Sequence, residues 1–232
     1  MASRIAIVLG AGPNIGARTI ETFESKGYKV AYASRSARDS GDNGSTMAVQ
    51  CDLSHSASVT TLFDNVRKKW GEPSVVVYNA AAHYPTKPED SFEISTKIFE
   101  EQLAVNTTSA FVAAREAISS SKKLDGPKTF LYTGNMLLEG PYPSLLTLGL
   151  GKAASGHFVQ MADSLYRDQN MRFHFVDERT AEGKGMFTGL GGQAHADFFL
   201  SLAERTTSEE VPWQATFVSS KGYTAFPHEL VS

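Results

Sequence analysis

Only one cysteine stands in the chain, Cys51. A single thiol cannot close an internal disulfide, so the fold does not depend on oxidation, and a reducing compartment suits it. Cys51 ends the run Met47-Ala48-Val49-Gln50-Cys51, where a small buried hydrophobe is the ordinary role and a nucleophile the unusual one. Long apolar runs are also missing: nothing approaches the roughly 20 residues that cross a bilayer. The run Ile5 to Leu9 is too short for a secretory segment and passes straight into glycines. A soluble, cytoplasmic protein without a membrane partner is expected. Neither charge sign dominates, since 22 Lys+Arg against 25 Asp+Glu leave −3. No basic field is available to hold nucleic acid. The histidines lack metal-ligand spacing, so no metal is expected. Repeats, low-complexity stretches and linkers are absent too, and residues 1–232 read as one domain.

What is present is alternation. Hydrophobic residues make up 41% of the chain, enough for a substantial core. Apolar runs at Arg4–Leu9, Tyr28–Ala33, Met47–Asp52, Ser74–Tyr78, Lys128–Thr133, Met171–Val176 and Trp213–Ser219 predict seven strands. Between them, apolar residues at helical spacing predict helices from Ile15 to Phe23, after Ser54, from Phe92 to about Lys122 (one long helical region, with a break near its start as the alternative), from Leu145 to about Arg167 and from Ala194 to Arg205. Strands alternating with helices, the first strand apolar throughout, imply a mainly parallel sheet buried on both faces. The expectation is a three-layer α/β Rossmann fold: a doubly wound, mainly parallel seven-stranded sheet with helices on both faces.

The strongest local signal is Gly10-Ala11-Gly12-Pro13-Asn14-Ile15-Gly16, between the first strand and the first helix. Glycines let the backbone turn tightly and approach a diphosphate, and the helix start offers free N–H groups and a positive dipole end. A tight turn that binds nothing is the alternative. At the tip of the second strand the chain reads Ala33-Ser34-Arg35-Ser36. An acid there would hold the ribose hydroxyl of NAD(H). Arg35, with Ser34 beside it, instead suits the 2′-phosphate of NADP(H), which makes NAD(H) the less favoured cofactor. Arg38 is a weaker candidate, and a solvated arginine is the plain reading of either.

Taken in order, these landmarks resemble the short-chain dehydrogenase/reductase family along roughly residues 4–180. The family's glycine motif is matched at Gly10 and Gly16, with Asn14 in the middle glycine slot. Asp52-Leu53 matches the pair set against adenine. Asn79-Ala80-Ala81 matches the motif after the fourth strand. Asn106 matches the asparagine that organises a water relay, and Lys152 the catalytic lysine. Two partners differ. Four residues before Lys152, where the family has tyrosine, stands Leu148, and Asn135 holds the serine position. The resemblance implies dinucleotide binding by Gly10, Gly12, Asn14, Ile15, Gly16, Ser34, Arg35, Asp52, Leu53, Asn79, Ala80, Ala81 and Lys152. It also implies a homodimer or homotetramer built on the helices of residues 91–122 and 145–167. Asn135 can still donate a hydrogen bond to a carbonyl oxygen, but leucine has no proton to give.

After the sixth strand the family usually has Pro-Gly, and here the chain reads Asp177-Glu178-Arg179. Asp177 or Glu178 could replace the missing acid or grip a cationic substrate. A solvated loop with an internal ion pair is the other reading. Asn106, Asn135, Lys152 and Asp177 are therefore the candidate catalytic set. Tyr142 and His83 could reach the pocket, whereas Tyr132 and His157 fit core and surface roles. Two functions remain open. One is an NADP(H)-dependent reductase of a small carbonyl or imine. The other is a non-redox protein on the same scaffold: an isomerase, a cyclase or a cofactor-binding regulator.

Overall fold

The structure, a computed structural model, describes residues 4–35 and 43–226. β1 (Ile5–Leu9) leads into α1 (Ile15–Ser25), followed by β2 (Lys29–Ser34), β3 (Thr46–Gln50), α2 (Ala57–Lys69) and β4 (Val75–Tyr78). Then come α3 (Thr96–Leu103), a π turn (Ala104–Thr108), α4 (Ser109–Ser121), β5 (Lys128–Thr133) and a short 3₁₀ turn (Met136–Leu138). α5 (Leu146–Tyr166), β6 (Met171–Glu178), α6 (Gly192–Glu204), β7 (Gln214–Val218) and β8 (Gly222–Tyr223) complete the order. The strands lie as β3-β2-β1-β4-β5-β6-β7-β8. All pairs are parallel except β7 with β8.

Alternation along β1 builds both cores. Ile5, Ile7 and Leu9 face α2 and α4, while Ala6 and Val8 face α1 and α6. The chain winds outward from β1 to β3, then returns to begin β4 on the other side of β1. That reversal opens a crevice at the carboxyl ends of β1 and β4, where open α/β sheets take their ligands.

Three expectations need correction. The sheet has an eighth strand, two residues long, held by Val218–Gly222 and Phe217–Tyr223 pairing. The helix expected from Phe92 begins only at Thr96, where Ser95 Oγ accepts from the Ile98 amide, and the break the sequence left open falls at the π turn. The sixth strand runs two residues further than its apolar pattern. Asp177 and Glu178 pair with Thr216 and Phe217 of β7 and are buried, not loop residues in solvent.

Candidate active site at the carboxyl edge of the sheet

Gly10 turns the chain at φ +100°, and a Cβ there would stand 2.5 Å from the Ala80 nitrogen. A Cβ on Gly16 would stand 2.4 Å from the Gly10 carbonyl oxygen. Both positions exclude side chains because backbone meets backbone. Gly12 differs: a Cβ there would meet nothing within 4 Å, so its bare face looks onto open space. Asn14 opens α1 without a side-chain cap, and Gly191 opens α6 without one. The two helix starts adjoin. Asn14 Nδ2 donates to the Leu190 carbonyl at 3.0 Å, and a Cβ on Gly192 would fall 2.2 Å from Asn14 Oδ1. The uncapped N-terminus of α1 beside an open glycine makes a cradle of the right polarity for a diphosphate. Ile15 is buried and anchors the first helical turn.

The neighbouring motifs hold this turn in place. Asn79 Nδ2 donates to the Gly10 carbonyl at 2.8 Å, and its Oδ1 accepts from Thr133 Oγ1 at 2.9 Å. Asn79 thus ties β1 to β5 across the crevice. Ala80 lies directly beneath Gly10, and Ala81 is exposed at the rim. Ser34 ends β2 half-buried, with Arg35 exposed just beyond it. Arg38 and Ser36 lie outside the described residues. Asp52 Oδ1 accepts from the Ser54 amide at 3.0 Å and Ser54 Oγ at 2.8 Å, which holds its carboxyl below the usual range. The Asp52 turn therefore precedes α2, and the helix starts at Ala57 rather than just after Ser54. Leu53 is buried, with its carbonyl accepting from Ser109 Oγ at 2.6 Å. Cys51 is buried beside Ser58, and burial raises its thiol pKa.

Toward β5 and β6 the buried chemistry changes. The Asn106 side chain is spent on Ala82, accepting from its amide and donating to its carbonyl, both at 2.8 Å. The Asn106 carbonyl accepts from Tyr132 Oη at 3.0 Å and Ser155 Oγ at 2.9 Å. Asn135 Oδ1 caps the 3₁₀ turn by accepting from the Leu137 amide at 3.1 Å. Lys152 is 4% exposed; its Nζ donates to the Thr133 carbonyl at 2.6 Å and lies 4.6 Å from the Tyr132 ring centre. Leu148 stands one turn earlier on α5, half-buried. Asp177 Oδ2 accepts from Arg179 Nε at 2.5 Å, while Oδ1 is buried with no hydrogen-bond partner among the described residues. Burial pushes Lys152 down to about 7, against the pull of the Asp177 charge. Burial pushes Asp177 up to about 6, against the Arg179 guanidinium.

Glu178 points to the opposite face. There it accepts from the Gly191 amide at 2.9 Å and from Ser219 Oγ, with His195 Nδ1 3.4 Å away. Its task is to hold the start of α6, not to face Lys152. Tyr132 is buried, with its hydroxyl pushed up to about 12, so it is not a substitute acid. Tyr142 is exposed and packs on Phe187 with ring centres 5.2 Å apart. His83 and His157 are exposed. Two surface hollows of about 410 and 440 Å³ lie at the other end of the sheet, beside Arg172 and His174 and beside Arg4 and Val75, away from this chemistry. The sequence reading allowed an ion pair within Asp177-Glu178-Arg179, which the structure shows buried between Arg179 and Asp177, but it missed Glu139 as a second partner of Arg179. The spacing of Asp177 and Arg179, two apart on one strand, would have placed them on one face.

Residues 4–129 match the family model described as short chain dehydrogenase. The chain is 41% identical over 240 residues to "Short chain dehydrogenase/reductase dmxR12" of Cryptosporiopsis sp. (strain 8999), covering 98% of this chain and 96% of that protein. It is 27% identical to "NADPH-dependent aldehyde reductase 2, chloroplastic" of Arabidopsis thaliana over 59% of this chain and 57% of that one. Among solved structures, a metagenomic short-chain oxidoreductase in complex with NADP superposes with a TM-score of 0.79 at 18% identity, covering 94% and 97% of the two chains. A short-chain dehydrogenase/reductase from Serratia marcescens superposes with a TM-score of 0.72 at 21% identity, covering 87% of this chain and 89% of that one.

Proposed function

This chain belongs to the short-chain dehydrogenase/reductase family, and on that footing we propose that it is an NADP(H)-dependent reductase of a small organic carbonyl or imine, working without the usual serine and tyrosine. The observation that carries the reading is the bare face of Gly12 before the uncapped start of α1, with Arg35 at the tip of β2. Gly10, Gly12, Asn14, Ile15 and Gly16 receive the diphosphate. Ser34 and Arg35 receive the 2′-phosphate. Asp52, Leu53 and Asn79-Ala80-Ala81 border the adenine and its ribose, and Lys152 meets the nicotinamide ribose. The bound dihydronicotinamide supplies hydride.

At the catalytic end Asn135 is placed to donate to the substrate oxygen through Nδ2, since its Oδ1 is engaged with Leu137. Asn106 acts by fixing Ala82 and the rim, because its carbonyl is already filled by Tyr132 and Ser155. Lys152 lies buried with its Nζ on the Thr133 carbonyl at the carboxyl end of β5, and the Asp177 charge acts on it. An imine protonated in solution would need no further proton, which suits a chain with Leu148 at the tyrosine position.

Thermal melting tests the cofactor assignment. A ligand at about 100 times its Kd adds about 2.7 kcal/mol to stability. NADPH should raise the melting temperature clearly more than NADH at equal concentration, and Arg35→Ala should abolish that difference. Equal shifts with the two cofactors would refute the NADP(H) preference.

A cytoplasmic homodimer or homotetramer is the proposed assembly. Phe111 on α4 and Leu150, Met161 and Leu165 on α5 are large apolar side chains left exposed, more than a solitary surface needs. Met161→Glu with Leu165→Glu should shift the mass found by light scattering to that of one chain, with the helical content unchanged. An unaltered oligomer mass would place the interface elsewhere. No helix among the described residues is long and apolar enough to cross a membrane.

A further inference from the structure

Asparagine is among the residues that best cap a helix, turning its side-chain oxygen back onto the second or third amide of the first turn. Asn14 stands at the capping position of α1, since its carbonyl accepts from the Arg18 amide at 3.2 Å, yet its side chain caps nothing. Its ψ of −98° is away from the extended backbone from which such a residue caps. The Ala17 amide is met by the Gly12 carbonyl at 2.9 Å. The Ile15 and Gly16 amides find no partner among the described residues. The first turn therefore keeps free the donors that a diphosphate needs.

What draws Asn14 away is a single peptide unit. The Leu190 carbonyl accepts from Asn14 Nδ2 at 3.0 Å, and the N–H at the other end of that peptide, on Gly191, donates to Glu178 Oε2 at 2.9 Å. A trans peptide points these two groups in opposite directions, so fixing the N–H aims the carbonyl. Glu178 is itself held fast. It is 2% exposed, Ser219 Oγ donates to its other oxygen, and His195 Nδ1 lies 3.4 Å from Oε2. A carboxylate that accepts from a backbone N–H makes a strong hydrogen bond and polarises the carbonyl at the far end of the peptide. Gly192 supplies the room: a Cβ there would fall 2.2 Å from Asn14 Oδ1 and 3.1 Å from the Asn14 carbonyl carbon. Glu178, the Leu190–Gly191 peptide and the bare Gly192 together make a latch for one side chain.

We propose that Glu178, acting through the Leu190–Gly191 peptide, parks the Asn14 side chain against α6 and so keeps the start of α1 uncapped for the dinucleotide. Glu178 and Gly192 are positioning residues, and they act on the cofactor only through Asn14. The role exists only if the glycine turn takes a dinucleotide, as proposed above. When the latch is broken, Asn14 Oδ1 turns back onto the Gly16 amide and competes with the diphosphate for it. The ligand must then displace a cap, and its binding weakens by what that cap is worth, about 5-fold for a typical one. The Glu178 carboxylate also sits at the start of α6, where it answers the positive end of that helix. The start of α1 is left as the one that faces the ligand.

Calorimetric titration of NADPH into variants of the full chain tests the latch. Glu178→Ala removes the acceptor that holds the peptide. Gly192→Ala displaces Asn14 directly, and because its methyl group meets the tip of a movable side chain, this variant keeps the fold even where Glu178→Ala does not. Each should weaken NADPH binding by about 5-fold. Glu178→Gln, whose amide oxygen can still accept from Gly191, should bind more tightly than Glu178→Ala. In an Asn14→Ala background, where no side-chain cap can form, neither substitution should weaken binding further. Undiminished binding by Gly192→Ala overturns the proposal, and so does an equal loss with and without Asn14, which marks a general loosening of the fold. Hydrogen exchange in the cofactor-free proteins reads the cap itself. The Gly16 amide should exchange more slowly in Gly192→Ala and Glu178→Ala than in the wild type, because Asn14 now covers it. Unchanged or faster exchange refutes the return of Asn14 to the helix. If the wild type binds NADPH and the variants bind it equally well, the latch falls and the dinucleotide reading stands. If the wild type takes up no NADPH, both fall.

Discussion

Lys152→Met should gain stability relative to the wild type as pH falls from about 10 to about 7. The sign follows from the amine. In the unfolded chain it binds a proton below its ordinary value of 10.5, whereas in the fold burial holds it to about 7. Between those values the unfolded state carries more protons, so the wild type loses stability as pH falls, by up to about 1.4 kcal/mol per pH unit. Below about 7 both states are protonated and the difference levels off. Methionine removes this linkage and keeps the apolar stem packed. Asp177→Asn should behave in the opposite direction. Its folded value of about 6 lies above the ordinary 3.8, so the wild type loses stability as pH rises from about 4 to about 6. The asparagine variant gains on it over that interval, and the gap is level above it. Denaturant unfolding of the three proteins across pH reads both effects. Parallel pH curves would mean that the two side chains are solvated.

Gly10→Ala should be the most damaging single methyl group in the molecule. Alanine is strained at φ +100°, and its Cβ would press on the Ala80 backbone at 2.5 Å, which cannot swing aside as a side chain could. Overpacking of this kind costs roughly 1–3 kcal/mol, and an incompatible backbone adds about 1 kcal/mol. That is a large share of the roughly 5–15 kcal/mol that holds a domain folded. Chemical denaturation should show a loss of about 3 kcal/mol, together with loss of dinucleotide binding, because the Asn79 bond to the Gly10 carbonyl sits at the same turn. A stable Gly10→Ala protein would mean the turn is looser than described.

The strands that were legible in the sequence are those that bury apolar residues on both faces, such as Val75-Val76-Val77 in β4. Their alternation with helices announced a sheet with a crevice at its carboxyl edge, and the glycine turn marked where that edge begins. β8 was not legible, because two residues carry no periodicity. The extension of β6 was hidden for a different reason: Asp177 and Glu178 look like solvent residues until their partners are known. Those partners lie far away in the chain, Glu139 beyond Arg179 and Ser219 beyond Glu178. Lys152 could be found from the resemblance, but its burial against the Thr133 carbonyl is a property of the packed helix and sheet. The approach of Leu190 to Asn14 likewise joins segments 176 residues apart.

If the open face of Gly12 receives a dinucleotide diphosphate, a side chain there must exclude it. Isothermal titration of NADPH into the wild type and into Gly12→Val checks this, since a Cβ at that position meets no protein atom within 4 Å and the substitution should leave the fold intact. The expected result is one NADPH per wild-type chain and no measurable binding to a Gly12→Val protein that melts at the wild-type temperature. Equal binding by the two proteins, or no binding by the wild type, would contradict it.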